Sequence, residues 1–436
     1  MIFRAFKGAT GRVFILLCLM YFIMYVDRVN LSIAAPLIKG ELGLTNTELG
    51  LALGAFGYCY ALFQIASGYL GDRIGARRML SISGLFWAAG TVAAAFAGGL
   101  WSLIAARLVV GIGEAGTIPT ATGAIGRWVP KARRGFAQGF THTSARFAAA
   151  ATPPVVVAMI PLFGWRGAFI ALGIVSFVWV VAWWTYFRDD PRKHRGVTAE
   201  ELAELPVHDR AVGSRVEVPW RRLIPRVAPV TLAFFCHAWT LWLYLSWLPS
   251  FFVGEYGFDL KDSAVLSGII FIAGMVGDTV GGLVTDRIFQ RTGDVNRARR
   301  NTMLLGFTCS LVCLSGVLFI QDQTLIAGCL ALGLFFLEMT EAPIWAVPLD
   351  IAPHFAGIAS GFVSTAAGVA ALVSPVAFGA ILDATGSYRP PFLVSIALLG
   401  LGIVLAFFVR PDRPVETAAR PADTAHPHPA VLRTSP

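Results

Sequence analysis

Five charged side chains stand where a chain this apolar has least reason to carry them. Asp27, Arg28, Arg107, Glu114 and Arg146 each lie inside a long hydrophobic run. Arginine keeps its proton in any protein setting, whereas a carboxylate changes state with its surroundings. Three fixed positive charges facing two switchable negative ones form a set that can receive an anion. Protonating Asp27 and Glu114 would leave the arginines unpaired and ready to hold a carboxylate in bidentate geometry. That is the chemistry of coupled proton and anion binding. The competing reading is a closed ion-pair network that only fixes helix packing.

Helical spacing refines the set. Arg107 and Glu114 are seven residues apart, on one helix face about two turns from each other. His142 precedes Arg146 by one turn on the same face, and Tyr60 lies midway along another apolar run. The second half of the chain offers Glu338 and Glu341, three apart. Two such carboxylates repel unless one is protonated or a positive group intervenes. They are candidates for bonding substrate hydroxyls, for a further protonation site, or for pairing with the arginines. Among Trp239, Trp242, Tyr244 and Trp247, most are expected to pack or to anchor at the interface, with Trp242 placed for stacking on a substrate. Ser360, Ser364 and Thr365 carry hydroxyls, and Ser364 is kept as a substrate donor, although such groups usually bond their own backbone.

The elements that hold these residues must be membrane helices. The chain has 436 residues, of which 56% are hydrophobic and only 14% charged, where a soluble domain needs roughly a quarter. Its mean hydropathy is +0.67. Apolar segments long enough to span a bilayer fall near 13–36, 47–70, 79–98, 101–126, 136–162 and 167–187. Six more follow near 227–252, 263–286, 301–320, 324–350, 356–382 and 390–410. The reading is all-α and polytopic: a six-helix bundle over 1–187, a cytoplasmic loop over 188–226, a second bundle over 227–410, and a disordered tail over 411–436. The first segment has a basic start like a signal peptide, but Asp27-Arg28 interrupts it, so it is taken as a retained helix.

Charge bias gives orientation. With both termini inside, 28 of the 35 Lys and Arg fall on the cytoplasmic side, 4 on the other and 3 within spans. The net charge of +9 therefore reports topology, and no nucleic-acid partner is expected. All six cysteines lie in apolar runs without CxxC spacing, which argues against disulfides or a metal centre. No nucleotide loop or nucleophile–base set appears, so neither an enzyme nor a cofactor is expected.

The two halves repeat a motif. Gly68-Tyr-Leu-Gly-Asp72-Arg73-Ile-Gly75-Ala-Arg77-Arg78 closes the second segment, and Gly282-Leu-Val-Thr-Asp286-Arg287 closes the eighth. Each joins small residues to an acid and a basic turn on one rim, a gate that locks the halves until they rock apart. Asp278, in a glycine-rich stretch of the eighth segment, is assigned to the same gate. G-x-L-x-D-R-x-G-x-R-R after the second segment, echoed after the eighth, resembles the signature of the major facilitator superfamily. Asp27-Arg28 with Asn30, Tyr60, and Arg107-x6-Glu114-Ala115 resemble the anion:cation symporter branch of bacterial sugar-acid and vesicular anion carriers. The resemblance implies proton coupling at Asp27 and Glu114 and substrate carboxylate held by Arg107, with Arg28 and Tyr60 lining the site. The stretch from Thr141 to Arg146 departs from that branch's Asn-Ser-Gly-rich pattern, and its extra arginine suits a second carboxylate or a bulkier acid.

The expected function is proton-coupled uptake of an organic carboxylate by alternating access, in a bacterial inner membrane and as a monomer. Sugar acids (aldonates, aldarates, hexuronates) come first, then small dicarboxylates and aromatic acids such as phthalate. A drug/proton antiporter of the same superfamily lacks its glycine-proline motif here, and a neutral-sugar carrier would leave the arginines without a ligand charge. A solute-binding sensor would usually add a folded signalling domain, for which the loop and tail are too short.

Overall fold

Apolar segments in lipid must bond every backbone group internally, and helices do so. The computed structural model describes residues 8–130, 134–205, 219–352, 356–413 and 415. Among them no strand occurs, and the helices run α1 (Gly8–Leu42), α2 (Asn46–Ile74), α3 (Ala76–Ala95), α4 (Leu100–Ala115), α5 (Thr117–Trp128), α6 (Arg134–Tyr186) and α7 (Ala199–Glu204). The second half continues with α8 (Trp220–Tyr256), α9 (Leu260–Thr292), α10 (Val295–Phe319), α11 (Gln323–Glu338), α12 (Glu341–Ile351), α13 (Ala356–Thr385) and α14 (Arg389–Phe408).

Nine helical stretches among the described residues are long and apolar enough to cross a membrane, α4–α5 and α11–α12 each counting as one. The run within α6 holds two rods, because Gly164 turns the chain at φ 66°, a left-handed value that glycine adopts without penalty. With α2 and α3 the rods number twelve, in agreement with the segments read from the sequence.

Two rods are broken at mid-depth, at matching places in the two halves. α4 gives way to α5 around Gly116, and α11 to α12 around Met339-Thr340. Pro119 and Pro343 explain this, since neither supplies the N–H that would reach the carbonyl four residues back. A threonine hydroxyl compensates nearby in each case: Thr117 donates to the Glu114 carbonyl, and Thr340 to that of Leu337 at 2.8 Å. The breaks set Glu114, Glu338 and Glu341 at helix ends.

Within the first half α6 packs on α1 and α3, and α4 on α2 and α3; within the second, α11 packs on α9 and α10, and α14 on α8 and α10. The halves meet through α2 with α13, α6 with α9 and α1 with α8. At the first of these contacts a Cβ on Gly54 would stand 2.6 Å from the Leu372 carbonyl oxygen, so only glycine permits the approach. Asp383 stitches the same end, accepting from the backbone N–H groups of Asn46 (3.1 Å) and Thr47 (2.6 Å) and from both side chains.

The central stretch, read as a loop, carries short helical turns among its described residues. It contains a 3-10 turn at Pro191–Lys193 and α7, whose Glu201 accepts from the Thr10 N–H at 3.4 Å. α8 begins at Trp220, ahead of the apolar segment at 227, because Arg221, Arg222 and Arg226 extend the rod as a polar turn. Residues 206–218 and the tail after 415 lie outside the described residues.

Candidate functional site

Long side chains from α1 and α4 meet at mid-depth and bring the first charges together. Arg28 donates from Nε (3.0 Å) and Nη2 (2.6 Å) to a single oxygen of Glu114, Oε2. Its other oxygen, Oε1, is buried without a hydrogen-bond partner. The guanidinium also lies within a ring of aromatic faces: Tyr25 at 4.6 Å, Phe56 at 4.9 Å, Tyr60 at 5.1 Å and Trp242 at 6.0 Å. Each such face attracts a cation. Trp242 comes from α8, so the second half closes this cage. Tyr60 is fixed by stacking on Phe56 and by a bond from Gln64 at 3.4 Å.

Asp27 points the other way. Its Oδ2 accepts from Ser176 at 2.6 Å, and its Oδ1 has no hydrogen-bond partner. Arg107 donates at 3.4 Å to the Asp27 backbone carbonyl and not to its carboxylate, and its Nε is unsatisfied. Both line a small void with Asn30, Leu31, Thr91 and Phe169. Four of the five charges thus form two compartments: Arg28 with Glu114 toward the second half, and Asp27 with Arg107 behind α1. Neighbouring positions on one helix face different sides, which the sequence reading did not separate.

Arg146 crosses between the halves. Its Nη2 is 3.0 Å from Glu338 Oε2 and 3.0 Å from Glu341 Oε1, and its Nε is 3.9 Å from Asp278 Oδ2. Of the roles left open for Glu338 and Glu341, the geometry takes up pairing with a first-half arginine. Asp278 stands with this cluster and away from the gate motif. His237 of α8 completes it, with Nε2 2.9 Å from Glu341 Oε2 and Nδ1 2.9 Å from the Thr340 hydroxyl. The sequence reading passed over His237, although a histidine midway along an apolar span carried the same signal as the arginines. It also passed over Tyr25, Phe56 and Ser176, whose types are ordinary in a membrane helix. His142 is exposed, its ring 5.5 Å from that of Tyr21, and Ser364 is half-buried on α13. Tyr244 and Trp247 serve packing, donating to the carbonyls of Leu330 and Pro375.

The gate residues lie at the opposite end from Asp383. Arg77 donates to the Trp184 carbonyl from Nε (2.9 Å) and Nη2 (2.8 Å), and its backbone N–H donates to Asp189 at 3.1 Å. The first motif therefore ties α3 to the end of α6, through an acid the sequence reading did not name. In the echo, Asp286 is 3.8 Å from Arg299, which also holds Asp350 at 3.0 Å. Arg73 and Arg287 are exposed. The side chains of Gly68 and Asp72 lie outside the described residues.

Against known proteins, the Major Facilitator Superfamily model matches residues 17–375 and 295–435. The chain is 46% identical over 408 residues to a probable sulfoacetate transporter of Cupriavidus necator, covering 92% of this chain and 95% of that one. It is 29% identical over 410 residues to a hexuronate transporter of Bacillus subtilis, covering 91% and 94%. Among solved structures, a bacterial homologue of the human lysosomal transporter Spinster, inward-facing and occupied, superposes with a TM-score of 0.75 at 15% identity, covering 92% and 96%.

Proposed function

The chain belongs to the major facilitator superfamily and is a multi-pass membrane transporter, and we propose that it carries a small organic dianion inward together with protons. The observation that carries this reading is the buried Arg28–Glu114 pair inside its aromatic cage. A proton on Glu114 removes the charge that holds Arg28. The rings keep the guanidinium in place, and it turns its donors to an acid group of the substrate. Asp27, bonded to Ser176, is the second proton site, and Arg107 steadies the backbone of α1 between the two. Arg146 receives the second acid group from the far side of Tyr25.

The 46% relative supports a substrate with one sulfonate and one carboxylate, and sulfoacetate is the first candidate. A sugar acid is the second reading, supported by the hexuronate carrier and by Tyr60 and Trp242, whose faces suit a sugar ring. The halves, 1–187 and 227–410, rock about the site. The Lys and Arg bias supports an orientation in a bacterial inner membrane with both termini in the cytoplasm, in which the end closed by Asn46 and Asp383 faces outward. The transporter acts as a monomer.

The test is uptake of labelled organic acids into proteoliposomes, with and without an inward proton gradient. Gradient-stimulated uptake of sulfoacetate, lost in Arg28→Ala, is expected. Binding without uptake would turn the reading into a sensor, and no signal from any acid would reduce the arginines to structure.

A further inference from the structure

Polar groups join the two halves at mid-depth, through Arg146, and again where α2 begins and α13 ends. The second junction answers the needs of a helix terminus. The first backbone N–H groups of a helix have no partner within it. In α2 the Thr45 hydroxyl accepts from the Glu48 N–H at 3.1 Å, which leaves those of Asn46 and Thr47. Asp383, on the other half, accepts them both. Its Oδ1 takes the N–H and the side-chain amide of Asn46 (2.8 Å for the amide), and its Oδ2 takes the N–H and the hydroxyl of Thr47 (2.6 Å each). The amide cannot face the other way. Lys39 only donates, and it lies 2.6 Å from Asn46 Oδ1, so Nδ2 is the atom left for the carboxylate. A negative charge at a helix N-terminus adds to the attraction.

We infer that Asp383 is the latch of the outer gate: it holds the passage shut on that side and must release α2 before a solute can enter. All four of its bonds cross between the halves, so a rocking motion that parts α2 from α13 breaks them together. Below the latch the two rods touch backbone to backbone. A Cβ on Gly57 would stand 2.7 Å from the Leu372 nitrogen, and one on Gly54 would meet the Val376 side chain at 3.3 Å. No solute passes that seam while the latch holds. The latch bonds are exposed, unlike those of Glu338 to Arg146. Water therefore takes up the freed donors and acceptors, and release costs little. A latch of this kind sets how much of the time the empty carrier faces outward without touching the substrate. The inference rests on the proposed orientation and rocking of the halves, and not on which acid is carried.

The test labels the full chain in intact cells with a membrane-impermeant maleimide, in the absence of substrate. The reporter is Val376→Cys, in the seam beside Gly54, and the six native cysteines without it give the background. The reporter alone should react slowly from outside, at moments when the gate opens. Adding Asp383→Ala should speed its labelling several-fold and leave the background unchanged. Asn46→Ala should speed it less, and the two together should add little beyond Asp383→Ala, because both break one latch. An unchanged rate in Asp383→Ala, or effects of the two substitutions that simply add, overturns the latch. Labelling of the reporter only from the cytoplasmic face of inside-out vesicles, in every variant, overturns the orientation on which the latch rests.

Discussion

The first half pairs Arg28 with Glu114 inside one bundle, whereas the carboxylates of the second half borrow their guanidinium from the first. Arg28 and Glu114 lie on α1 and α4 of one bundle and move together when the bundles rock. Glu338, Glu341 and Asp278 sit on α11, α12 and α9 respectively, and the guanidinium that faces them belongs to α6 of the other bundle. A pair within a rigid body can survive a conformational cycle, while a pair across the moving interface must break or carry the motion with it. Buried ion pairs contribute little net stability, yet losing one partner costs about 3–5 kcal/mol. We therefore propose that the first cluster captures one acid group of the substrate, and that the second receives the other and couples the halves.

The largest effect should come from Arg28→Ala, which leaves Glu114 buried without its cation and empties the aromatic cage. Sulfoacetate uptake should fall by about 100-fold or more, and near-normal uptake would mean that the cage is not the site. Arg146→Gln strikes the crossing pair. Uptake should fall about tenfold, the size of one charge-assisted hydrogen bond. Monoanions such as acetate should compete equally well against wild type and variant if Arg146 holds only the second acid group. At the outer end, Gly54→Val drives a side chain into the Leu372 carbonyl. Exchange across proteoliposomes should slow several-fold, about the cost of overpacking a close contact, with binding in detergent retained. Smallest is Ser176→Ala, which removes the hydrogen bond that Ser176 donates to Asp27. It should lower the melting temperature of the purified carrier, by a loss of about 1–3 kcal/mol.

Much of this was legible in the residues. Lipid allows few solutions for a spanning chain, so segment length and the Lys and Arg bias sufficed for twelve rods, and Pro119 and Pro343 carried a signal for the breaks that the sequence reading left unused. Arg28, Glu114 and Arg146 announced themselves as charges in apolar surroundings. What periodicity could not supply was the side of α1 on which each charge emerges. Asp27 and Arg28 are neighbours in sequence, yet one meets Ser176 and the other the cage, and the choice is made by packing against α6 and α4. Asp278 was hidden for the same reason, since its glycine-rich helix offered no sign that Arg146 would cross the interface to meet it.

The most direct test of the central claim follows protons and anion together, with a pH-sensitive dye sealed inside proteoliposomes. Adding sulfoacetate outside should acidify the lumen of wild-type vesicles. In Glu114→Gln vesicles the acidification per anion should be smaller, while exchange of sulfoacetate continues. Uptake without any change in lumen pH, or equal acidification per anion in the variant, would contradict coupling through the Arg28–Glu114 pair.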